Sequence, residues 1–159
     1  MSDLATLLER FRRGGELIAV VTTGVAGAEL DFAPAPGKWS IRQVVCHLAD
    51  TEIVISDRFR RVIAEEEPTL IAFNQEAWAA RLDYRKRKIS QAVETYRRLR
   101  AENHELLKDQ PEEVFKRTAI HSEEGRITLL HLLETYARHD ESHARQIQSI
   151  RQEYKQSKA

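Results

Sequence analysis

Residues 36–50, PGKWSIRQVVCHLAD, contain the clearest helix start in the sequence. Ser40 stands three residues before Gln43, and this spacing is typical of a capping box, in which each side chain accepts the other residue's backbone N–H. Apolar side chains then recur with the 3.6-residue period of a helix that buries one face. The stretch therefore predicts an amphipathic helix that begins at Ser40 and ends near Glu66, just before Pro68.

Three other long segments share this helical period, at about residues 3–23, 87–108 and 128–154, and a shorter one lies at about 75–81. No segment shows the sustained two-residue alternation of a half-buried strand. Four amphipathic helices of roughly 20–27 residues favour a four-helix bundle, because each buries its apolar face against the others. We therefore expect an all-α fold with one domain over residues 1–159 and long connections that carry a short extra helix.

Two adjacent glycines, Gly14 and Gly15, interrupt the first of these segments. A glycine inside a helix costs about 1 kcal/mol relative to alanine, so two in succession need a structural reason. The pair predicts either a kink in the helix or a close approach by a neighbouring helix.

The overall composition limits the possible partners. The chain has 159 residues, and its 25 Lys and Arg balance its 25 Asp and Glu. Zero net charge argues against nucleic acid as the main partner, because phosphate binding needs a clustered excess of cations. A single cysteine excludes an intramolecular disulfide and a Cys-rich zinc module. With no signal-peptide pattern and no apolar run near the ~20 residues needed to cross a bilayer, we expect a cytoplasmic protein without a membrane partner.

The six histidines include one pair with the spacing of a metal site. His139 and His143 are four residues apart, so they lie together on one face of the last helix. Two imidazoles placed in this way can bind one metal ion at about 2.0–2.1 Å. His143 falls within the apolar stripe and His139 at its edge, so both point toward the core. The alternative is a pair of buried histidines that hydrogen-bond to Tyr or carboxylate groups.

A metal site needs at least a third ligand, and helical periodicity alone does not select it. The pair is not the His-Glu-x-x-His motif of zinc proteases, since Asp140 replaces the glutamate. His47 lies about 100° from the centre of the apolar stripe on its helix. His131 falls on a polar face, His104 at an exposed margin, and His121 in a long connection.

Two parts of the sequence closely resemble the DinB-like superfamily, in its YfiT-like branch. The first is residues 36–50, with a Trp-Ser helix start and His47 seven residues after Ser40. The second is residues 136–147, YARHDESHARQI, with its His-x-x-x-His pair. Shorter stretches between the two are also similar, so the resemblance extends over about residues 36–150.

The resemblance implies a four-helix bundle that binds a divalent metal through three histidines, which correspond here to His47, His139 and His143. Zinc or nickel is the metal usually suggested, and three neutral imidazoles leave positions open for water or substrate. The resemblance also implies a small-molecule substrate and a homodimer. Relatives of this branch often have a His-Pro-Glu loop, whereas Ser122 replaces the proline here, which argues against a lid role for His121.

The family implies two kinds of chemistry. Some members look like thiol S-transferases that add a low-molecular-weight thiol, such as bacillithiol, to an electrophile, and others are described as metal-dependent hydrolases. In either reaction the metal acts as a Lewis acid that ionises a bound thiol or a bound water, so the sequence does not separate them. We expect a thiol S-transferase first and a hydrolase second. The alternative from another class is a non-catalytic, metal-binding stress protein.

Gln43 and Asp50 are the candidate catalytic residues beside the expected ligands. Gln43 precedes His47 by four residues and shares its face, so it could hold a metal-bound water or thiol; the alternative is the capping-box bond alone. Asp50 follows His47 by three residues and could orient a ligand imidazole; the alternative is a surface ion pair. Asp140 could orient an imidazole from another helix in the same way.

Overall fold

Helices make up most of residues 3–159, the part of the chain that this computed structural model describes. In chain order they are α1 (Asp3–Val21), α2 (Ala28–Asp31), α3 (Ile41–Ala64), α4 (Gln75–Arg81), α5 (Ile89–Lys108) and α6 (Leu129–Ser157). The long helices α1, α3, α5 and α6 pack as a bundle, which confirms the predicted fold class. The short extra helix is found as α4. Among these helices, none is both long enough and apolar enough to span a membrane.

A small sheet lies in the connections, where the sequence pattern predicts no strand. Its strands are β1 (Thr69–Leu70), β2 (Thr118–His121) and β3 (Gly125–Thr128). The central strand β2 pairs in parallel with β1 and antiparallel with β3. Two to four residues are too few for a two-residue alternation to be recognised, which explains why the sequence does not reveal the sheet. Two 3₁₀ turns, Tyr84–Lys86 and Glu112–Lys116, complete the connections.

Side-chain caps define the first residues of the two helices that carry the candidate ligands. The predicted capping box opens α3: the Gln43 N–H donates to Ser40 Oγ, and the Ser40 N–H donates to Gln43 Oε1 at 2.9 Å. At the start of α6, Thr128 Oγ1 accepts the His131 N–H at 3.0 Å. Both caps satisfy donors that a helix start would otherwise leave unpaired.

The interior of the bundle has two apolar clusters with a polar layer between them. One cluster includes Ile41, Val45 and Ile147, and the other includes Phe59 and Leu133. Along α3, α5 and α6, buried polar residues lie between the residues of one cluster and those of the other, among them Glu52, Arg100, Asn103 and Asp140, while His47 lies on α3 beside the first cluster. The candidate site therefore lies at the level where the apolar stripe is interrupted.

The glycine pair in α1 is explained by a close helix approach, because α1 continues through it as one helix. A Cβ atom on Gly14 would lie 2.5 Å from Asp140 Oδ2 and 2.6 Å from Arg100 Nη1. Only hydrogen fits at this position without a shift of the polar layer. At Gly15 the nearest atom to an added Cβ would be Arg100 Cγ at 3.7 Å, an ordinary contact.

Candidate metal centre

The three histidines expected to bind metal converge inside the bundle. His47 comes from α3, and His139 and His143 come from successive turns of α6. The His139 Nε2 atom lies 3.2 Å from His47 Nε2 and 3.1 Å from His143 Nε2. Within residues 3–159, this is the group of His, Cys, Asp and Glu side chains whose ligand atoms gather within 4.8 Å of one another.

These separations fit a single metal ion. Two nitrogens that each bind one ion at about 2.0–2.1 Å are about 2.8–3.4 Å apart when the angle between them is roughly 90–109°. The observed separations of 3.1 and 3.2 Å fall in this range. Three imidazoles are the ligand set of one class of catalytic zinc site, which keeps a further position open, and imidazole is also a ligand of nickel.

Two of the imidazoles are held in the neutral form that a metal requires. Burial, followed by the neighbouring imidazoles, lowers the pKa of His47 to about 3. Burial and the nearby His139 ring lower the pKa of His143 to about 4. Both rings are therefore uncharged at neutral pH, and a neutral ring keeps a lone pair for a metal ion.

Two of the three histidines, His47 and His143, have an acceptor from their own helix at Nδ1. Thr51 Oγ1 lies 3.4 Å from His47 Nδ1, and Gln146 Oε1 lies 2.7 Å from His143 Nδ1. An acceptor at Nδ1 holds the proton there and leaves Nε2 free to bind a metal. The sequence analysis missed Thr51 and Gln146, although their spacings of four and three residues from a ligand are a usable signal.

The centre is closed on one side and partly open on the other. The His47 residue is 1% exposed, whereas the His139 side chain is 22% exposed. The Trp39 ring packs against His47, with 5.1 Å between the ring centroids. Trp39 also lines an open cleft of about 1150 Å³ between residues 31–40 and 76–85. The three histidines are not among the residues that line this cleft, so Trp39 lies between the cleft and the metal centre.

The two candidate catalytic residues make contacts away from the imidazoles. Gln43 lines the cleft, and its Oε1 is used by the capping box with Ser40. The Asp50 carboxylate accepts the Tyr84 hydroxyl at 2.8 Å and Arg87 Nη1 at 2.7 Å, which forms a largely buried ion pair instead of the surface pair considered above. A catalytic role for either residue stays a prediction.

The remaining histidines lie outside the centre. His121 Nδ1 accepts the backbone N–H groups of Glu123 and Glu124 at 3.1 and 3.2 Å, which stabilises the turn between β2 and β3. His131 Nε2 lies 3.0 Å from Glu124 Oε1 near the surface. His104 is half-buried on α5, not fully exposed as its position suggests.

Sequence comparison places the chain in a family. The sequence model of the DinB superfamily matches residues 10–147. The chain belongs to the DinB superfamily. One DinB relative, OB0782 of Oceanobacillus iheyensis, is 30% identical over 122 residues, which are 77% of this chain and 70% of that protein. YfiT of Bacillus subtilis is 29% identical over 124 residues, with the same shares of each chain. The names of both relatives propose a metal-dependent hydrolase.

The fold of a solved DinB structure matches this one closely. YfiT from Bacillus subtilis, described as a candidate metal-dependent hydrolase with an unusual four-helix bundle topology, superposes with a TM-score of 0.87. The match covers 94% of this chain and 87% of YfiT at 24% sequence identity. The comparison establishes that this chain has the same bundle topology.

A buried ion network lies next to the metal centre of this DinB bundle, and the sequence analysis missed it. Arg100 of α5 donates through Nε and Nη2 to Glu52 of α3, at 2.7 and 2.9 Å. Its Nη1 donates to Asp140 Oδ2 of α6 and, at 2.8 Å, to the Phe11 carbonyl of α1. The Asn103 side chain also donates to Glu52, at 3.3 Å. One guanidinium thus joins all four long helices.

The two carboxylates of the network differ in their electrostatics. Burial raises the pKa of Glu52 above its ordinary value. Burial also opposes ionisation of Asp140, but the Arg100 charge, the nearby His139 imidazole and the hydrogen bond from Arg100 outweigh it, so the pKa of Asp140 is lowered. The surroundings therefore favour the ionised form of Asp140 more strongly than that of Glu52.

Proposed function

We propose that this chain is a metal-dependent enzyme in which His47, His139 and His143 hold a divalent cation, zinc or nickel. We propose further that it transfers a low-molecular-weight thiol to a small electrophile. The observation that carries the proposal is the convergence of three Nε2 atoms with separations of 3.1 and 3.2 Å. The names of the relatives OB0782 and YfiT support dependence on a metal.

The side chains around the centre prepare it for a cation with open positions. A divalent cation bound there supplies a Lewis-acid charge that lowers the pKa of a thiol or a water brought to it. The imidazoles donate lone pairs without adding negative charge. Thr51 and Gln146 fix the rings of His47 and His143 through their Nδ1 atoms. Trp39 covers the His47 ring and keeps water from that side.

Transfer of a thiol makes few further demands on the protein. The sulfur forms a bond to an electrophilic carbon, the thiol proton passes to solvent, and the electrophile either releases a leaving group or takes up a proton. Among the described residues, the cluster of ligand atoms contains no carboxylate, and the nearby Asp140 is bound to Arg100. A thiolate needs no separate general base once it is ionised, so a site without a free carboxylate suits this reaction.

Hydrolysis is the second candidate, and the names of the relatives favour it. Water would then replace the thiol as the nucleophile, and a group near the cleft would need to donate a proton to the leaving group. In this proposal Gln43 holds the nucleophile from the cleft side: the capping box uses only its Oε1, so its side-chain N–H groups can still donate. Asp50 supports the cleft by anchoring Tyr84 and Arg87 to α3.

Metal analysis of the purified protein tests the site. We expect about one equivalent of divalent metal in the wild type, a large loss in His47→Ala and His143→Ala, and no change in His104→Ala, whose histidine lies outside the centre. Unchanged metal content in both ligand variants would contradict the three-histidine site.

A substrate panel then tests the reaction. We expect turnover of a low-molecular-weight thiol with a generic electrophile, and loss of that turnover in His47→Ala. Turnover of esters or amides alone would establish the hydrolase instead. A metal-loaded protein that turns over neither class would indicate the non-catalytic alternative.

A further inference from the structure

We propose that Arg100 is a positioning residue for the metal centre, because it holds the Asp140 carboxylate next to the Nδ1 atom of His139. The inference rests on the proposed metal site and extends it from the three ligands to the ion network behind them.

His139 is the ligand whose orientation is not secured by a direct hydrogen bond. Its Nδ1 atom is buried and, within residues 3–159, has no hydrogen-bond partner. His47 and His143 each have an acceptor at Nδ1, at 3.4 and 2.7 Å. The charged atom beside His139 Nδ1 is Asp140 Oδ1, at 3.8 Å. A ligand histidine normally donates its second N–H to a carboxylate, a carbonyl or a water, and Asp140 is the carboxylate placed to accept it.

Arg100 determines which oxygen of Asp140 faces the histidine. Asp140 is 1% exposed, and its Oδ2 accepts Arg100 Nη1, which leaves Oδ1 on the side of His139. The guanidinium is itself fixed by the Glu52 carboxylate and the Phe11 carbonyl. It also stacks on the Phe11 ring, with 3.9 Å from Cζ to the ring centroid. A planar fork held at three points cannot turn without breaking several bonds, so the carboxylate is held as well.

The close approach of α1 removes the space into which the carboxylate could move. A Cβ on Gly14 would already lie 2.5 Å from Asp140 Oδ2. The carboxylate is therefore confined between α1 and the Arg100 guanidinium. The packing of the four long helices therefore fixes the position of Asp140 and, through it, the orientation of the His139 ring.

Cobalt(II) binding to Arg100 variants tests this role, with a second buried arginine as the matched control. Arg58 also links α3 to α6, through Tyr136 at 2.8 Å, and donates to the Ile71 carbonyl at 2.8 Å; neither of these two partners is a histidine. We expect Arg100→Met to weaken cobalt binding, measured by competition with a chelator, by about 10-fold or more. Arg100→Lys, which keeps the charge without the fork, should lose less. Arg58→Met should bind within about 2-fold of the wild type, even where it is equally destabilised.

A spectroscopic measurement separates positioning from general loss of structure. In long-range proton–nitrogen correlation spectra of the zinc-loaded protein, we expect a slowly exchanging His139 Nδ1 proton in the wild type and in Arg58→Met. That signal should be lost in Arg100→Met, and the visible absorption of the cobalt form should change with it. Where Arg100→Met does not fold, Arg100→Lys and Asp140→Asn replace it in both measurements.

Two results would overturn the inference. One is a folded Arg100 variant with wild-type cobalt affinity and an unchanged His139 signal; the other is an equal loss in Arg58→Met. Failure of the metal site itself looks different, because the wild type would then not bind cobalt, or His143→Ala would bind it as the wild type does.

Discussion

Two polar clusters lie side by side in the interior of this bundle, and they differ in how fully their buried polar groups are paired. The histidine cluster contains no ion pair between its members, and it places the Nε2 atoms of His47 and His143 3.2 and 3.1 Å from that of His139. The Arg100 cluster joins a guanidinium to two carboxylates and a carbonyl, so its donors and acceptors are largely used. Buried polar groups are costly unless they are paired. The first cluster therefore keeps a capacity to bind, whereas the second stabilises the helices around it.

The two clusters meet at neighbouring residues. His139 and Asp140 are adjacent in α6; the His139 ring contacts the His143 ring, while the Asp140 carboxylate accepts a hydrogen bond from Arg100. A helix of 100° per residue lets adjacent side chains serve different neighbours. The division of roles can be tested by changing one cluster at a time.

The largest loss of unfolding free energy is expected when the central charge of the ion network, that of Arg100, is removed. Arg100→Ala leaves Glu52 and Asp140 buried without their counter-charge, and breaking a buried pair costs about 3–5 kcal/mol of unfolding free energy. His143→Ala in metal-free protein should cost less, about 1–2 kcal/mol, because it removes the contacts of a half-buried neutral ring with Gln146 and His139. Urea denaturation followed by circular dichroism measures both. Equal losses in the two variants would contradict the division of roles.

The next largest change in unfolding free energy is expected when zinc binds to the histidine cluster. A ligand at 100 times its dissociation constant stabilises the folded state by about 2.7 kcal/mol. We expect zinc at that level to raise the unfolding free energy of the wild type by this amount and to leave His47→Ala unchanged. Arg58→Met should respond as the wild type does. Equal stabilisation of His47→Ala by zinc would place the bound metal elsewhere.

A smaller effect is expected where α1 approaches the network. Gly14→Ala puts a methyl group 2.5 Å from Asp140 Oδ2, and overpacking of this kind should lower the unfolding free energy by about 2 kcal/mol. Gly15→Ala is the matched control, because its nearest contact is 3.7 Å. That change should be neutral or should stabilise the helix by up to about 1 kcal/mol. Denaturation of the two variants in parallel compares them, and similar behaviour would argue against the close approach.

The smallest effect is expected from mild acid acting on metal-free protein. The pKa values of His47 and His143, about 3 and 4, lie below that of an unfolded histidine near 6.5. As the pH falls from 6.5 to 5.5, the unfolded chain binds protons that the folded chain does not, so the unfolding free energy falls. The loss is about 1 kcal/mol per histidine over this unit. Denaturation at several pH values should show a shallower slope for His143→Gln; an identical slope would count against the lowered pKa.

Features encoded by neighbouring residues could be predicted from the sequence. The Ser40 and Gln43 capping box, the helix Gln75–Arg81 and the paired histidines on α6 depend on spacing within one segment. His47 was recognised through the family resemblance, because its position about 100° from the centre of the apolar stripe did not select it as a ligand.

Contacts between helices could not be predicted in the same way. The positions of Tyr96, Arg100 and Leu107 share one face of α5, which identifies Arg100 as buried but not Glu52 and Asp140 as its partners. The choice of zinc or nickel, the homodimer, the cytoplasmic location and the single domain over residues 1–159 stay predictions; Met1 and Ser2 of that domain lie outside the described residues.

Arg100 connects all four long helices, and this has a consequence for the rates of folding and unfolding. Its bonds to Glu52, Asp140 and the Phe11 carbonyl can all form only after α1, α3, α5 and α6 have docked. Interactions absent from the folding transition state act on the unfolding rate. We expect Arg100→Ala to leave the folding rate almost unchanged and to speed unfolding by about three orders of magnitude, since each 1.4 kcal/mol is a factor of about ten. The network thus governs how long the bundle persists, not how fast it assembles.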